Sequence, residues 1–355
     1  MTHTKHNYTI GIDLGDKAHE TCTINSQGEI IERSSVVNTK DDLLRFSSAN
    51  PGATLIMEAG CHSPWISRLF CEKGHKVIVA NPRKLRAIYE SDNKNDQRDA
   101  EMLARIGRFD RKLLYGIDHK SEVHQRALKI IDVRDVLVSA RVKLINSVRG
   151  SLKSLGIFLQ SGWSSDAFAR KATEFLEAKD YELVAPLLEM IAELTERIKA
   201  QDKRIEAMIE DDYPVAKQLM SIPGVGPITA LSFVLIIGSP DRFDKAREVG
   251  PYLGLVPGRD QSGDTDKPMR ITKAGNRMLR RLLVSCAQYT LGKFGPDSAL
   301  KESGQQKIIT GSKVAKKKAV VKTARKLAVL MLALWKDPKC TYQAYPNKSK
   351  EKLAA

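Results

Sequence analysis

Apolar positions in the first third of the chain recur in short runs, with the spacing of strands rather than of long helices. "YTIGIDLG" alternates and predicts a strand. The turn "NSQG" separates "ETCTI" from "EIIERSSVV", which predicts a hairpin. "DDLLRFSSA" reads as a short helix, and "ATLIMEA" has the length and apolarity of a buried strand. In "SPWISRLFCEKG", Ser63 stands as a helix cap, Pro64 at the first helical position and Gly74 just past the end. "KVIVAN" predicts one more strand before Pro82. Two helices close the segment, the second opening with "NDQRDAEMLARI". Residues 1–118 are therefore expected to form an α/β domain on a mixed sheet that begins as an antiparallel meander.

The period then changes to 3.6. "ALKIIDVRDVLVSARVKLINSVRGSLKSL" and "YELVAPLLEMIAELTERIKAQDKRIEAMIE" predict long helices, paired as a coiled-coil-like arm over residues 119–215 that serves as scaffold or dimer contact. Residues 216–335 form the next domain. It starts with "LMSIPGVGPITALSFVLIIG", a helix, a tight turn and a second helix. Such a helix-hairpin-helix can offer the backbone N–H groups around Gly224 and Gly226 to a phosphate, or it can simply be a glycine turn. A polar loop rich in Gly and Asp follows ("GRDQSGDTDKP"), then a strongly basic helix. Residues 336–355 read as a basic tail.

Composition narrows the partners. The chain has 355 residues, enough for two or three domains with real cores, and carries a formal charge of +16. From Lys293 onward there are 15 Lys/Arg against 4 Asp/Glu. A pI near 9.5 is the footprint of a nucleic-acid binder. In "KVAKKKAVVKTARKLAVLMLALW" apolar residues interleave with the cations at helical spacing, so this segment is expected to pack and to display Lys316, Lys317 and Lys318. No apolar run approaches the length of a membrane span, and the start shows no secretory pattern. Five scattered cysteines without a CxxC pair argue against a zinc site and for a reducing, cytoplasmic setting.

Against that positive background four acidic residues stand out. Asp13 falls on the strand face opposite Ile10 and Ile12. Glu58 ends an apolar strand, an odd place for a charge unless it points into a site. Asp96 and Asp99 lie one turn apart at a helix start. Taken alone, that pair reads as a cap facing the helix dipole. Taken with Asp13 and Glu58, it reads as hard oxygen ligands for Mg²⁺ at a phosphodiester. "GIDLG" also resembles the first phosphate loop of actin-like ATPases, but the further glycine-rich phosphate loops of that class are missing from the sequence.

An Asp-bearing meander, a Glu-bearing strand and a helix with Asp-x-x-Asp resemble the RNase H-like nucleases. With "IPGVGPITA" and "YLGLVPGRDQSGDTDKPMRITKAGNRMLRRLL" added, residues 8–335 resemble the DEDD-type transposases of the insertion-sequence 110 family and the related Piv-type invertases. The resemblance implies a RuvC-like N-terminal domain in which Asp13, Glu58, Asp96 and Asp99 are catalytic and bind Mg²⁺. It implies that Ser262 is a nucleophile acting in a composite site with the acidic cluster. This loop has one serine and "QSGDTDK", where many relatives have a double serine and Gly-Gly-Lys. Arg270, Lys273, Arg277, Arg280 and Arg281 follow as contacts to the strand. The implied partners are donor and target DNA, a bridge RNA and further copies of the chain as a dimer or tetramer, with no membrane, in a prokaryotic cytoplasm. A hydrolytic junction-resolving nuclease and a non-catalytic nucleic-acid binder remain alternatives.

Overall fold

The computed structural model describes residues 8–85, 95–262, 265–306, 308 and 311–345. The chain divides between Ser121 and Glu122 into two compact units.

The first unit is built on β1 (Thr9–Leu14), β2 (Ala18–Ile24), β3 (Ile30–Val37), α1 (Lys40–Ala49), β4 (Thr54–Glu58), α2 (Ser63–Glu72), β5 (Lys76–Ala80), α3 (Pro82–Leu85) and α4 (Asp96–Phe109). The sheet order is β3-β2-β1-β4-β5. Strands β1, β2 and β3 form the expected antiparallel meander, while β4 and β5 run parallel to β1. Strand alternation divides the core. Ile10, Ile12, Leu55 and Met57 pack with Ile66, Leu69 and Phe70 of α2 and Leu43 of α1. Cys22, Ile24, Ile56 and Ala80 face the other way, toward Ala100, Ala104, Leu103 and Ile106 of α4. Each large apolar side chain so buried contributes roughly 1.5–3 kcal/mol. The start of α2 differs in detail from expectation. Its cap position is His62, and Ser63 Oγ instead donates to the Gly60 carbonyl and accepts from the Gly60 N–H.

The second unit contains α5 (Glu122–Lys153), α6 (Phe168–Phe175), α7 (Ala178–Asp211), α8 (Pro214–Leu219), α9 (Pro227–Ile237), α10 (Val249–Tyr252), β6 (Pro257–Ser262), β7 (Thr265–Ile271), α11 (Arg277–Leu291), α12 (Ala299–Gln305) and α13 (Lys313–Lys336). Helices α5 and α7 pack along one another. The buried Arg141 of α5 donates to Asp166 and to Thr195 of α7. Helix α9 is buried on every side from Thr229 to Ile237, which is why its sequence is apolar without periodicity. Helices α11 and α13 close around it. Ala127, Ile131, Ile205 and Ile209 bring one end of the α5–α7 pair into that same core.

Residues 257–271 depart from the expected loop. They form a two-stranded antiparallel hairpin in which Ser262 pairs with Thr265. A two-residue connection, Gly263 and Asp264, separates them and lies outside the described residues. "SGDT" carries the short-hairpin signal, but its flanking strands are polar and lack the alternation that marks a strand. Pro346–Ala355 of the expected tail also lie outside the described residues.

Candidate active site

Three elements of the first unit converge on one edge of its sheet. The β1–β4 register pairs Ile12 with Met57, so one step further Asp13 stands beside Glu58 at the C-terminal ends of two adjacent parallel strands. Neighbouring strands lie about 4.8 Å apart. Asp13 shares its face with Gly11, and Glu58 shares its face with Ile56. That face is the one α4 covers.

The direction of α4 decides what reaches the edge. A Cβ placed on Gly11 would lie 2.0 Å from the Ala100 carbonyl oxygen and 2.6 Å from the Ala104 nitrogen. Backbone therefore touches backbone at this crossing. At the far end, Arg108 donates to the Ser26 carbonyl and Arg105 to that of Gly28, both in the β2–β3 turn at the opposite edge of the sheet. Helix α4 thus runs antiparallel to β1, and its first turn, with Asp96 and Asp99, arrives at the edge of Asp13 and Glu58. The cap of α4 is Asn95, whose Oδ1 accepts from the Gln97 N–H. Neither aspartate is the cap. Asp96 is exposed, while Asp99, Asp13 and Glu58 are half-buried.

Glu20 escaped the sequence reading. It pairs directly with Asp13 across β1 and β2, so three carboxylates stand in a row on adjacent strands. Like charges opposed in this way repel. Only the hairpin register reveals Glu20, because nothing in "HETCT" distinguishes it from an ordinary surface acid. The donor set is all carboxylate oxygen, which suits a hard divalent cation. Among the described residues, no three His, Cys, Asp or Glu side chains stand gathered closely enough to hold one.

Supporting contacts keep α4 in place. Arg33 of β3 and Arg105 both donate to Glu101. These hydrogen bonds, that of Arg33 foremost, hold the Glu101 carboxyl below the usual carboxylate range. Across the loops that follow Asp13 and Glu58, His62 Nε2 lies 3.0 Å from Asp16 Oδ1. Ser63 Oγ bonds His119 Nε2 at 2.9 Å. Burial, with the nearby Arg68 guanidinium, lowers the His119 pKa.

In the second unit the candidate residues fall on three features. Gly224 and Gly226 form the turn between α8 and α9. Gly224 has φ +88°, and Gly226 leads into α9 without a side-chain cap. Ser262 ends β6 at the tip of the hairpin, with Arg270 exposed on β7 and Lys273 in left-handed conformation beyond it. The hairpin base is locked. A Cβ on Gly254 would lie 2.2 Å from the Ala274 nitrogen, and one on Gly275 2.2 Å from the Tyr252 carbonyl oxygen. Arg280 Nη1 donates to the carbonyls of Leu253 and Ala274, so Arg280 clamps that base rather than standing out toward solvent. Arg277 is exposed at the start of α11, and Arg281 pairs with Asp135 of α5. Lys316, Lys317 and Lys318 are exposed on the first turns of α13. Among the described residues, no helix is long and apolar enough to cross a membrane.

Known proteins resemble both units. A DEDD transposase profile of the IS110 type matches residues 10–157, and one described as the transposase IS116/IS110/IS902 family matches residues 216–305. The transposase of insertion sequence IS1328 from Yersinia enterocolitica is 29% identical over 281 residues, 79% of this chain and 82% of that one. The transposase of IS1111A from Coxiella burnetii is 28% identical over 293 residues, 79% of this chain and 77% of its own. A 44.8 kDa protein of the element IS116 from Streptomyces clavuligerus is 24% identical and aligns with 95% of this chain and 96% of its own length. The acid-edged mixed sheet followed by a basic helical unit is thus that of a transposase, a DNA recombination enzyme. The chain carries transposase domains of the IS110/IS116/IS902 family in these two segments.

Proposed function

We propose that this transposase cuts and rejoins DNA with Asp13, Glu58, Asp96 and Asp99 as its metal-binding acids and Ser262 as its nucleophile. The observation that carries the first half is the convergence of β1, β4 and the first turn of α4 on one sheet edge, with carboxylates on all three. Mg²⁺ held there would stabilise charge on a phosphate in reaction. The chain's own part is to hold those acids at a fixed spacing through the close α4–β1 crossing.

The second half rests on Ser262 standing at the tip of a hairpin whose base is locked by Gly254, Gly275 and Arg280. Ser262 Oγ bonds phosphorus as a deoxyribose oxygen leaves, and the serine proton passes overall to that oxygen. Attack by a sugar hydroxyl of the new strand reverses both changes. Phosphoester bonds are conserved, so no nucleotide is consumed. Exposed Arg270, Lys273, Arg277 and Lys316–Lys318, with Gly224 and Gly226, supply the phosphate contacts. The excess of positive charge accommodates two nucleic-acid partners, DNA and a bridge RNA encoded with the element. Strand exchange between two DNA sites calls for more than one copy of the chain.

The test is a denaturing gel of end-labelled DNA incubated with protein, Mg²⁺ and the element's own flanking RNA. Wild type is expected to leave a protein-linked DNA species, and Ser262→Ala to leave none while still binding DNA. Nicking by Ser262→Ala at the wild-type rate, without joining, would instead identify a hydrolytic nuclease.

A further inference from the structure

The turn Pro223–Pro227 does not stand alone. The ring of Tyr289, near the end of α11, lies flush on it. A Cβ on Gly224 would meet Tyr289 Cδ1 at 2.6 Å, so the glycine is needed to admit the ring. Despite that contact Tyr289 is 43% exposed. It ends a line of exposed residues four apart on α11, Arg277, Arg281, Ser285 and Tyr289, which share one helix face over about 18 Å. Helix α11 itself contains no Asp or Glu, while Asp135 of α5 pairs with Arg281 on this face.

Immediately beyond the helix stands Phe294, 74% exposed, with Lys293 Nζ 4.7 Å from its ring centroid. An apolar ring of that size left in water beside a cation, in a DNA recombination enzyme, matches the chemistry that receives an unpaired base. Every base has a π-face, the neighbouring cation meets its phosphate, and no sequence is read. Paired bases in a duplex already cover one another and gain nothing from such rings.

We propose that Tyr289 and Phe294 are stacking platforms for unpaired bases of a DNA single strand whose phosphates pass over the Pro223–Pro227 turn and the Arg277–Arg281 face of α11. The proposal rests on the DNA-handling reading above and adds the strand's state and the residues that take its bases. Recombination must part paired strands before they are exchanged, so a surface that holds bases out of the duplex would act while the strands are open.

The experiment uses the full chain and a short thymidine oligonucleotide carrying one 2-aminopurine, with the matching duplex and the matching RNA as separate arms. Phe294→Ala and Tyr289→Leu, the latter keeping bulk over Gly224, are each expected to weaken single-strand DNA binding about tenfold. Duplex binding should hold, and so should the slope of log affinity against log salt, because no charge is lost. Phe294→Trp should restore affinity, and Phe294→Ala should relieve the quenching of 2-aminopurine. Lys293→Ala should lower the salt slope instead. Unchanged single-strand affinity in Phe294→Ala, an equal loss on duplex, or a loss confined to RNA would each overturn the proposal. If wild type bound neither DNA form in a salt-dependent way, the DNA-handling reading itself would fail, which no outcome for the ring variants can mimic.

Discussion

Gly11→Ala tests the crossing that brings the first turn of α4 to the sheet edge of Asp13 and Glu58. The added Cβ would stand 2.0 Å from the Ala100 carbonyl oxygen and 2.6 Å from the Ala104 nitrogen, where ordinary contact begins at 3.4 Å. Both obstacles are backbone, so no rotamer change relieves them, and α4 must retreat from β1 by about 1.4 Å. Overpacking of this kind typically costs about 1–3 kcal/mol, and contact with two backbone atoms argues for the upper part of that range. The retreat also carries Asp96 and Asp99 away from Asp13 and Glu58. A misplacement near 1 Å can lower a catalysed rate about a hundredfold. Two controls separate strain from mere substitution. Gly60→Ala, two residues beyond Glu58, meets nothing within 4 Å and should change stability by less than about 0.5 kcal/mol. Gly107→Ala meets side-chain rather than backbone atoms, Ile56 Cδ1 at 1.6 Å and Cγ1 at 3.0 Å, so Ile56 rather than the helix backbone has to give way. Urea unfolding followed by circular dichroism, with recombination measured on the same preparations, gives both numbers. If Gly11→Ala unfolded and recombined as Gly60→Ala does, α4 would not lie against β1, and the proposed joint role of the four acids would lose its support.

Other perturbations address separate parts of the molecule. Glu101→Gln removes a carboxyl whose folded pKa is depressed by Arg33 and then Arg105, so its contribution exists above the unfolded carboxylate range and vanishes as pH falls through the folded value. The variant should therefore be less stable than wild type at neutral pH and converge with it in acid, as read by unfolding midpoints across a pH series; a gap that persisted in acid would assign the loss to packing instead. Mg²⁺ at about a hundredfold its dissociation constant should stabilise wild type by roughly 2.7 kcal/mol, and Asp13→Asn or Glu58→Gln should abolish that gain in thermal melts. A Mg²⁺ gain retained in both variants would place the cation elsewhere. Replacing Lys316, Lys317 and Lys318 with Ala should reduce the slope of log affinity against log salt by about one per lost phosphate contact, and an unchanged slope would remove the start of α13 from the binding surface.

Much of the frame was legible in the chain. The alternation in "YTIGIDLG" set Asp13 against Ile10 and Ile12, and the core divides along that line, because strand side chains alternate whatever lies around them. The helical spacing within residues 119–215 marked the long pair α5 and α7 for the same local reason. Register and approach, by contrast, are set by partners distant in sequence. Asn95 as cap of α4, with Asp96 and Asp99 released from that role, follows from where the helix begins, a choice "NDQRD" leaves open between three polar residues. Glu20 meets Asp13 only once the meander's pairing is fixed, and Gly11 reads as any strand glycine until Ala100 is seen against it. The hairpin that carries Ser262 hides because most of its strand residues are polar, Pro or Gly, so local pattern carries no strand signal. Arg280 and Arg281 look alike as neighbouring cations, yet one clamps the carbonyls of Leu253 and Ala274 and the other pairs with Asp135. Local periodicity depends on the backbone's own geometry and is written in the sequence; which polar groups end up facing one another depends on packing between elements far apart in the chain, and tertiary structure alone decides it.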